Sequence, residues 1–433
     1  MDVPASNLAS VKPKAFLLLK KLAGFARATE FDTVAVMGKH VIFLGAGASK
    51  ASCYPLANEL RLILSSEHHF VEWVRKCFPG YGTAASLAQD YFNTFKSSIM
   101  LFRKGCFASV DEFCKLATGQ PKSDAVQHMR FLTRAALGAL NPEDEFEYLE
   151  KYPFVQSDYY PFVQRLFRAD LKSLRPDISI LSFNYDPYLE FLLRRAWEQR
   201  NGGLPNSDIG NSITSGFHDP YDGAWNKSDQ ARLYLLKLHG SISDFVVGRG
   251  ISTDFLFEGS KEERAKCLFD PQNVGILNPI IFPWEILDQD LKFNEKQFPI
   301  QNDPSYFKLF VSIWERARKE VQAADKVSFV GLSMHEYLKL GFRYLFEGKE
   351  GQVQVVVANL VNKELREEDL AGGRPNPNSP CWRAGDVIRE VTKGKVLCRY
   401  SERDRKHISW APENTQPCVI PRDSFSDFIE HEL

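Results

Sequence analysis

The chain has 433 residues, and at about 150 residues per domain this length predicts two to three domains with a substantial buried core. Hydrophobic residues make up 44%, charged residues 25% and aromatic residues 13%, which excludes global disorder, collagen and coiled coil. Fifty-four basic against 55 acidic side chains leave a net charge of -1, so no overall field draws the molecule to nucleic acid or anionic lipid, and direct nucleic-acid binding is not supported.

Residues 1–35 carry Lys12, Lys14, Lys20 and Lys21 around the short apolar run Ala15 to Leu19, the pattern of a basic amphipathic helix rather than a secretory signal. His40 to Leu44 reads as a strand that stops at Gly45-Ala-Gly47-Ala-Ser49, and Leu56 to Leu64 comes next with helical periodicity. Residues 67–172 are poor in glycine and repeat apolar residues at three and four, as in Val110, Phe113 and Leu116, which predicts an inserted helical module. Ile178 to Phe183 is a second β run, closed by Asn184-Tyr-Asp186 and succeeded by a predicted helix from Tyr188 to Trp197.

Gly202 to Lys227 is rich in Gly, Asn, Ser, Asp and Pro and reads as a long loop. Arg232 to Leu238 is a strand that ends at His239-Gly240-Ser241. Gly275 to Trp284 reads as extended, Tyr306 to Ala323 as a helix, and Lys326 to Val330 and Gln352 to Val357 as near-continuous apolar strands. That last pattern belongs to strands covered by helices on both faces, and so to a parallel sheet. Beyond Glu364 the chain turns charged, and from Gly372 it reads as a linker into a C-terminal extension.

The predicted architecture is therefore α/β: a Rossmann-like parallel sheet with helices on both faces over residues 36–365, the module at 67–172 inserted in it, and an extension over 366–433. The most apolar stretches, Val41 to Ala48 and Val353 to Val361, are much shorter than the roughly 20 residues that span a bilayer, so no membrane segment is expected. The eight cysteines include no pair at two-residue spacing, which argues against a zinc module and suits a reducing cytoplasm.

Open α/β sheets collect ligands outside the carboxyl ends of their strands, and the polar residues there are the candidate site. A strand that runs through Gly45 and Gly47 into a helix would present N–H groups and a positive dipole end to a phosphate, although a Gly-Ala-Gly turn also serves close packing. Lys50 stands where a dinucleotide fingerprint has its third glycine, which disfavours an ordinary dehydrogenase. Asn184 and Asp186 could both face a cleft, and Asp186 fits an Asx turn capping the next helix equally well. His239 sits beside Gly240, which leaves room for an exposed ring. Gly331 and Ser333 after one strand and Asn359 after the next complete the set.

In this order, Gly45-Ala-Gly-Ala-Ser49, Ser182-Phe-Asn184-Tyr-Asp186, Lys237-Leu-His239-Gly-Ser241 and Gly331-Leu-Ser333 resemble the sirtuin superfamily, and more narrowly its prokaryotic branch of antiviral NAD hydrolases. The resemblance covers roughly residues 36–362. It implies that NAD+ is the substrate, with Gly45, Ala46, Gly47 and Ser49 at the pyrophosphate and Ser333 and Asn359 at the adenosine half. Asn184 would hold the nicotinamide ribose and a water, Asp186 would stand near the carboxamide, and His239 would be the general base. It also implies a cytoplasmic defence effector that depletes NAD+ when triggered, works as a homo-oligomer and answers to an activating partner protein. The four-cysteine zinc module of the deacylases is missing, and Leu56-Ala-Asn58 replaces their charged pair, both of which argue against protein deacylation. Deacylation and a non-catalytic module that senses NAD+ or a nucleotide are the alternatives.

Overall fold

The computed structural model describes residues 38–105, 107, 109–116, 124–140, 158–168, 174–201, 213–215, 233–242, 245–247, 250–252, 260–270, 280–299, 304–332, 338–358, 387–388, 390–392, 396–398, 420–422 and 425–433. Residues 1–37 form one unit, outside the described residues, and Gly38–Leu433 the other. The N-terminal helix expected over residues 1–35 therefore lies outside the described residues. No described helix is long and apolar enough to cross a membrane.

The second unit is built on an eight-stranded sheet. In chain order its strands are β1 (His40–Leu44), β2 (Ile178–Ser182), β3 (Ile213–Ser215), β4 (Leu233–Lys237), β7 (Lys326–Val330), β8 (Gly351–Ala358), β9 (Val396–Cys398) and β10 (Ile420–Arg422); β5 (Phe245–Val247) and β6 (Gly250–Ser252) form a separate antiparallel pair. The order across the main sheet is β10-β8-β7-β1-β2-β4-β3, with β9 also pairing β8, and every pairing in it is parallel. The predicted Rossmann-like α/β fold is the fold observed. After β1 the chain builds the sheet outward through β2 and β4, then returns to the other side of β1 with β7 and β8. The reversal between β1 and β7 is a topological switch point, where loops leaving the two strands part and open a crevice.

Alternation along the central strands sorts side chains to two cores. Ile42, Leu44, Ile178, Ile180, Leu233 and Leu235 face one core, shared with the helical module; Val41, Phe43, Leu181, Leu236, Val327 and Phe329 face the other, shared with the helices Pro304–Ala323 and Lys339–Phe346. Phe43 lies at the centre of the second core, within 4.9–6.2 Å of the rings of Phe183, Phe329, Phe342 and Phe346. The module itself contains the helices Glu67–Cys77, Gly82–Thr94, Lys96–Lys104, Val110–Leu116, Asp124–Gly138 and Tyr159–Arg165, as the apolar spacing predicts.

Two elements differ from the sequence reading. Ile213–Ser215 forms an edge strand on β4, inside the segment expected to be loop from Gly202 to Lys227. Within the predicted C-terminal extension, β9 and β10 both pair with β8, and the helix Phe425–Glu432 packs against β8 and β10. Phe428 is fully buried, its ring 6.2 Å from His40, and Lys326 Nζ lies 2.6 Å from the Glu432 carboxylate. Phe428→Ala is accordingly expected to cost about 3–5 kcal/mol, measured as a lowered urea midpoint of the whole unit. Deletion from Gly372 onward strips the same helix and both edge strands, so the core sheet is destabilised by it.

Candidate active site

The loops after β1 and β7 cross at the switch point with their backbones in contact. Gly45 N–H donates to Val330 O at 3.0 Å and Gly47 N–H to Gly331 O at 2.8 Å. A Cβ on Gly45 would lie 2.6 Å from Leu332 Cα, one on Gly47 2.8 Å from Gly331 Cα, and one on Gly331 2.1 Å from Ala48 N. Gly331 also has φ +60, in the left-handed region that favours glycine. These three glycines are therefore required by packing, and the N–H groups of Gly45 and Gly47 are engaged within the chain rather than offered to a pyrophosphate. The turn continues into a 3-10 helix, Ala46–Ser52, and the first α-helix starts only at Ala57, so β1 does not run through the turn straight into an α-helix. Of the turn residues, Ala46 is exposed.

Asn184 comes off the end of β2 directly beside this turn. Its Nδ2 donates to Gly45 O at 2.9 Å and to Ser49 Oγ at 3.0 Å. A carbonyl oxygen only accepts, so the contact to Gly45 O fixes which end of the amide is nitrogen. Oδ1 is left as the end that can accept a hydrogen bond from a ligand. Ser49 is fully buried and is not placed to hold a phosphate: its Oγ donates to Asp186 Oδ2 at 2.8 Å, accepts from Asn184, and lies 3.1 Å from Tyr159 OH.

Asp186 has two structural roles. Oδ2 accepts a hydrogen bond from the Ser49 hydroxyl, and Oδ1 accepts from Tyr188 N–H at 3.3 Å, which caps the helix Tyr188–Asn201. Burial pushes its carboxyl above the usual range, while Lys237 and the Ser49 hydrogen bond pull it back. Lys237 is only 1% exposed; its Nζ donates to Asp186 O at 2.5 Å and sits 3.0 Å from the Glu190 carboxylate. A buried ammonium thereby anchors the Asn184-Tyr-Asp186 turn to the end of β4.

His239 is 2% exposed, not open at the sheet edge as Gly240 beside it suggested. The turn is tight, with Gly240 at φ +77 and its N–H donating to Lys237 O at 3.2 Å. The ring is enclosed by Phe183 at 4.8 Å edge-on, Tyr185 at 5.8 Å stacked and Phe282 at 6.1 Å edge-on. Residues on either side of Asn184 thus form two walls of the histidine's enclosure. Its Nε2 is buried with no hydrogen-bond partner among the described residues. Leaving a buried nitrogen unpaired costs about 1–3 kcal/mol, a cost that a bound ligand or water can remove.

Burial pushes the His239 imidazole down to about 3, so the ring is neutral at physiological pH. The unfolded chain takes up a proton near pH 6.5 that the folded chain refuses. Stability from this group is therefore complete above 6.5 and falls as pH drops toward 3, by about 1.3 kcal/mol per unit around pH 5. His239→Gln is expected to flatten the stability profile by that slope between pH 6 and 4, read from urea unfolding of both proteins. Comparison with the parent isolates this ring from Asp186, Glu190 and Glu285, whose raised carboxyls tilt stability the other way, and from His40, which burial lowers as well.

Gly45, Ala46, Gly47, Ser49, Asn184, Asp186, His239 and Gly331 are brought to one edge of the sheet; Ser333 and Asn359 lie outside the described residues. Sequence reasoning missed Tyr159, Lys237 and Tyr185. Lys237 carried a signal, because a lysine within Leu-Tyr-Leu-Leu-Lys-Leu must find a buried partner; Tyr159 carried none. Among the described residues no group of three or more His, Cys, Asp or Glu side chains is placed to hold a metal. No family model matches the chain, and no curated protein matches it.

Proposed function

We propose that the chain is an NAD+ glycohydrolase, which breaks the nicotinamide–ribose bond and adds water to give nicotinamide and ADP-ribose. The observation that carries this reading is the neutral, unpaired Nε2 of His239, enclosed by the residues that flank Asn184. Asn184 Oδ1 would accept a hydrogen bond from a ribose hydroxyl and orient the sugar. Once the site opens and the desolvation that holds its basicity down is relieved, His239 would take the proton from that hydroxyl or from the attacking water. The glycosidic electron pair leaves with nicotinamide, the water oxygen bonds to the anomeric carbon, and one proton is released to solvent.

In this assignment Ser49 and Asp186 position Asn184 and touch no substrate. Phosphate contact at the β1 turn falls to Ala46, since the glycine N–H groups are engaged elsewhere. The aromatic enclosure supplies the dry surroundings that cleavage through an oxocarbenium-like state requires. The resemblance of the ordered motifs to antiviral NAD hydrolases supports a regulated, cytoplasmic, oligomeric effector with an activating partner, and the burial of His239 in the free chain suits a site that opens on activation.

The test is chromatography of NAD+ incubated with the full chain, alone and with an acyl-lysine peptide. Nicotinamide and ADP-ribose in equal amounts without peptide support the hydrolase. Release that depends on peptide would replace it with deacylation, and tight binding without release would replace it with nucleotide sensing.

A further inference from the structure

Among the described residues, Tyr159, Asp111 and Arg130 of the helical module make polar contacts that lead to Asn184 or to the rings that enclose His239. Tyr159, 1% exposed, brings its hydroxyl to 3.1 Å from Ser49 Oγ and 3.5 Å from Asn184 Nδ2. Asp111 Oδ1 accepts from Tyr185 O–H at 2.9 Å, and Tyr185 is the ring stacked on His239. Arg130 pairs with Glu285, both 1% exposed; Glu285 also accepts from Phe282 N–H at 2.9 Å, and Phe282 is another wall around His239.

We infer that the helical module is the positioning device of this site, with Tyr159 as the positioning residue for the Asn184 amide. The inference rests on the proposed reaction and adds the residue that prepares the site for it. Proton counting gives the direction. Ser49 has one hydroxyl proton and donates it to Asp186, so Tyr159 O–H donates to Ser49 Oγ. Burial raises the Tyr159 phenol far above its ordinary range, which keeps it protonated and a donor. Asn184 Nδ2 then lies among three oxygens, those of Gly45, Ser49 and Tyr159, two of which belong to the sheet side and one to the module. A shift of the module moves the third oxygen and loosens the amide that orients the ribose. An activating signal received on the module has a direct path to the chemistry.

Tyr159→Phe tests this, because it keeps the ring packed at 5.8 Å from Tyr188 and deletes only the hydroxyl. The first readout is the side-chain amide resonance of Asn184 in asparagine-labelled full-length protein, assigned by its loss in Asn184→Ala. It is expected to shift in Tyr159→Phe and to shift similarly in Ser49→Ala; an unchanged resonance in Tyr159→Phe overturns the inference. The second readout is turnover, where loss of one hydrogen bond predicts kcat for nicotinamide release lower by about 3- to 10-fold with KM for NAD+ within about twofold. A lowered melting temperature with unaltered kcat would make Tyr159 a packing residue only and also overturns it. The amide resonance reads positioning whether or not NAD+ is cleaved. A chain that releases no nicotinamide therefore counts against the proposed reaction and leaves this readout standing.

Discussion

His239→Gln should release nicotinamide from NAD+ about 10²- to 10⁴-fold more slowly than the parent chain, the usual cost of losing a general base. Glutamine fills much of the space between Phe183, Tyr185 and Phe282 but cannot take a proton. His239→Ala should lose as much activity and be less stable, since it leaves a cavity among three aromatic rings. Part of that loss is offset, because the alanine variant no longer buries an unpaired nitrogen. NAD+ affinity should change little in the glutamine variant, measured by calorimetry. A glutamine variant with near-parental turnover would leave the ring as a wall residue and remove the base from the mechanism.

Asn184→Ala carries the second large effect, on two quantities at once. Turnover should fall by about 10²-fold or more, because a ribose misplaced by an ångström loses the orientation on which the reaction depends. Stability should fall as well: Gly45 O keeps the Ala48 N–H at 2.9 Å but loses the Asn184 donor, and Ser49 Oγ loses it too, two hydrogen bonds worth about 0.5–1.5 kcal/mol each. The sequence alone offers Asn184 as a ribose-holding residue. The hydrogen bonds make it a tie within the fold as well. Assays below the melting temperature of either protein separate the two losses, and a variant that is less stable but fully active would reduce Asn184 to a structural tie.

The central strands were legible because buried parallel strands announce themselves: β1 and β7 match their apolar runs residue for residue. The short strands were not. Ile213–Ser215, Val396–Cys398 and Ile420–Arg422 have three residues each, too few for any period to show against a polar background. Two of these lie in the predicted C-terminal extension, and only their pairings with β8 reveal that they join the sheet.

At the site, residue type was a better guide to location than to role. Gly45 and Gly47 looked like a phosphate turn, and their role is decided by the backbone of Gly331, far along the chain. Asp186 was open between cleft and cap, and the hydrogen bonds give it the cap and a support role. The His239 ring was expected to be exposed from its neighbour Gly240, but its surroundings are set by Phe183, Tyr185 and Phe282, which sequence proximity does not connect to it.

The ring of His239 is the most direct place to test the proposed reaction, which requires a neutral nitrogen that gains its partner from the ligand. Nitrogen-15 spectra of histidine-labelled full-length protein, with the His239 signal assigned by its absence in His239→Gln, read that nitrogen itself. The expected result is an unprotonated ring from pH 5 to 8 in the free chain, and a shifted Nε2 resonance when ADP-ribose is added to saturation. A ring that titrates near 6.5, or an Nε2 signal unmoved by saturating ADP-ribose, would contradict it.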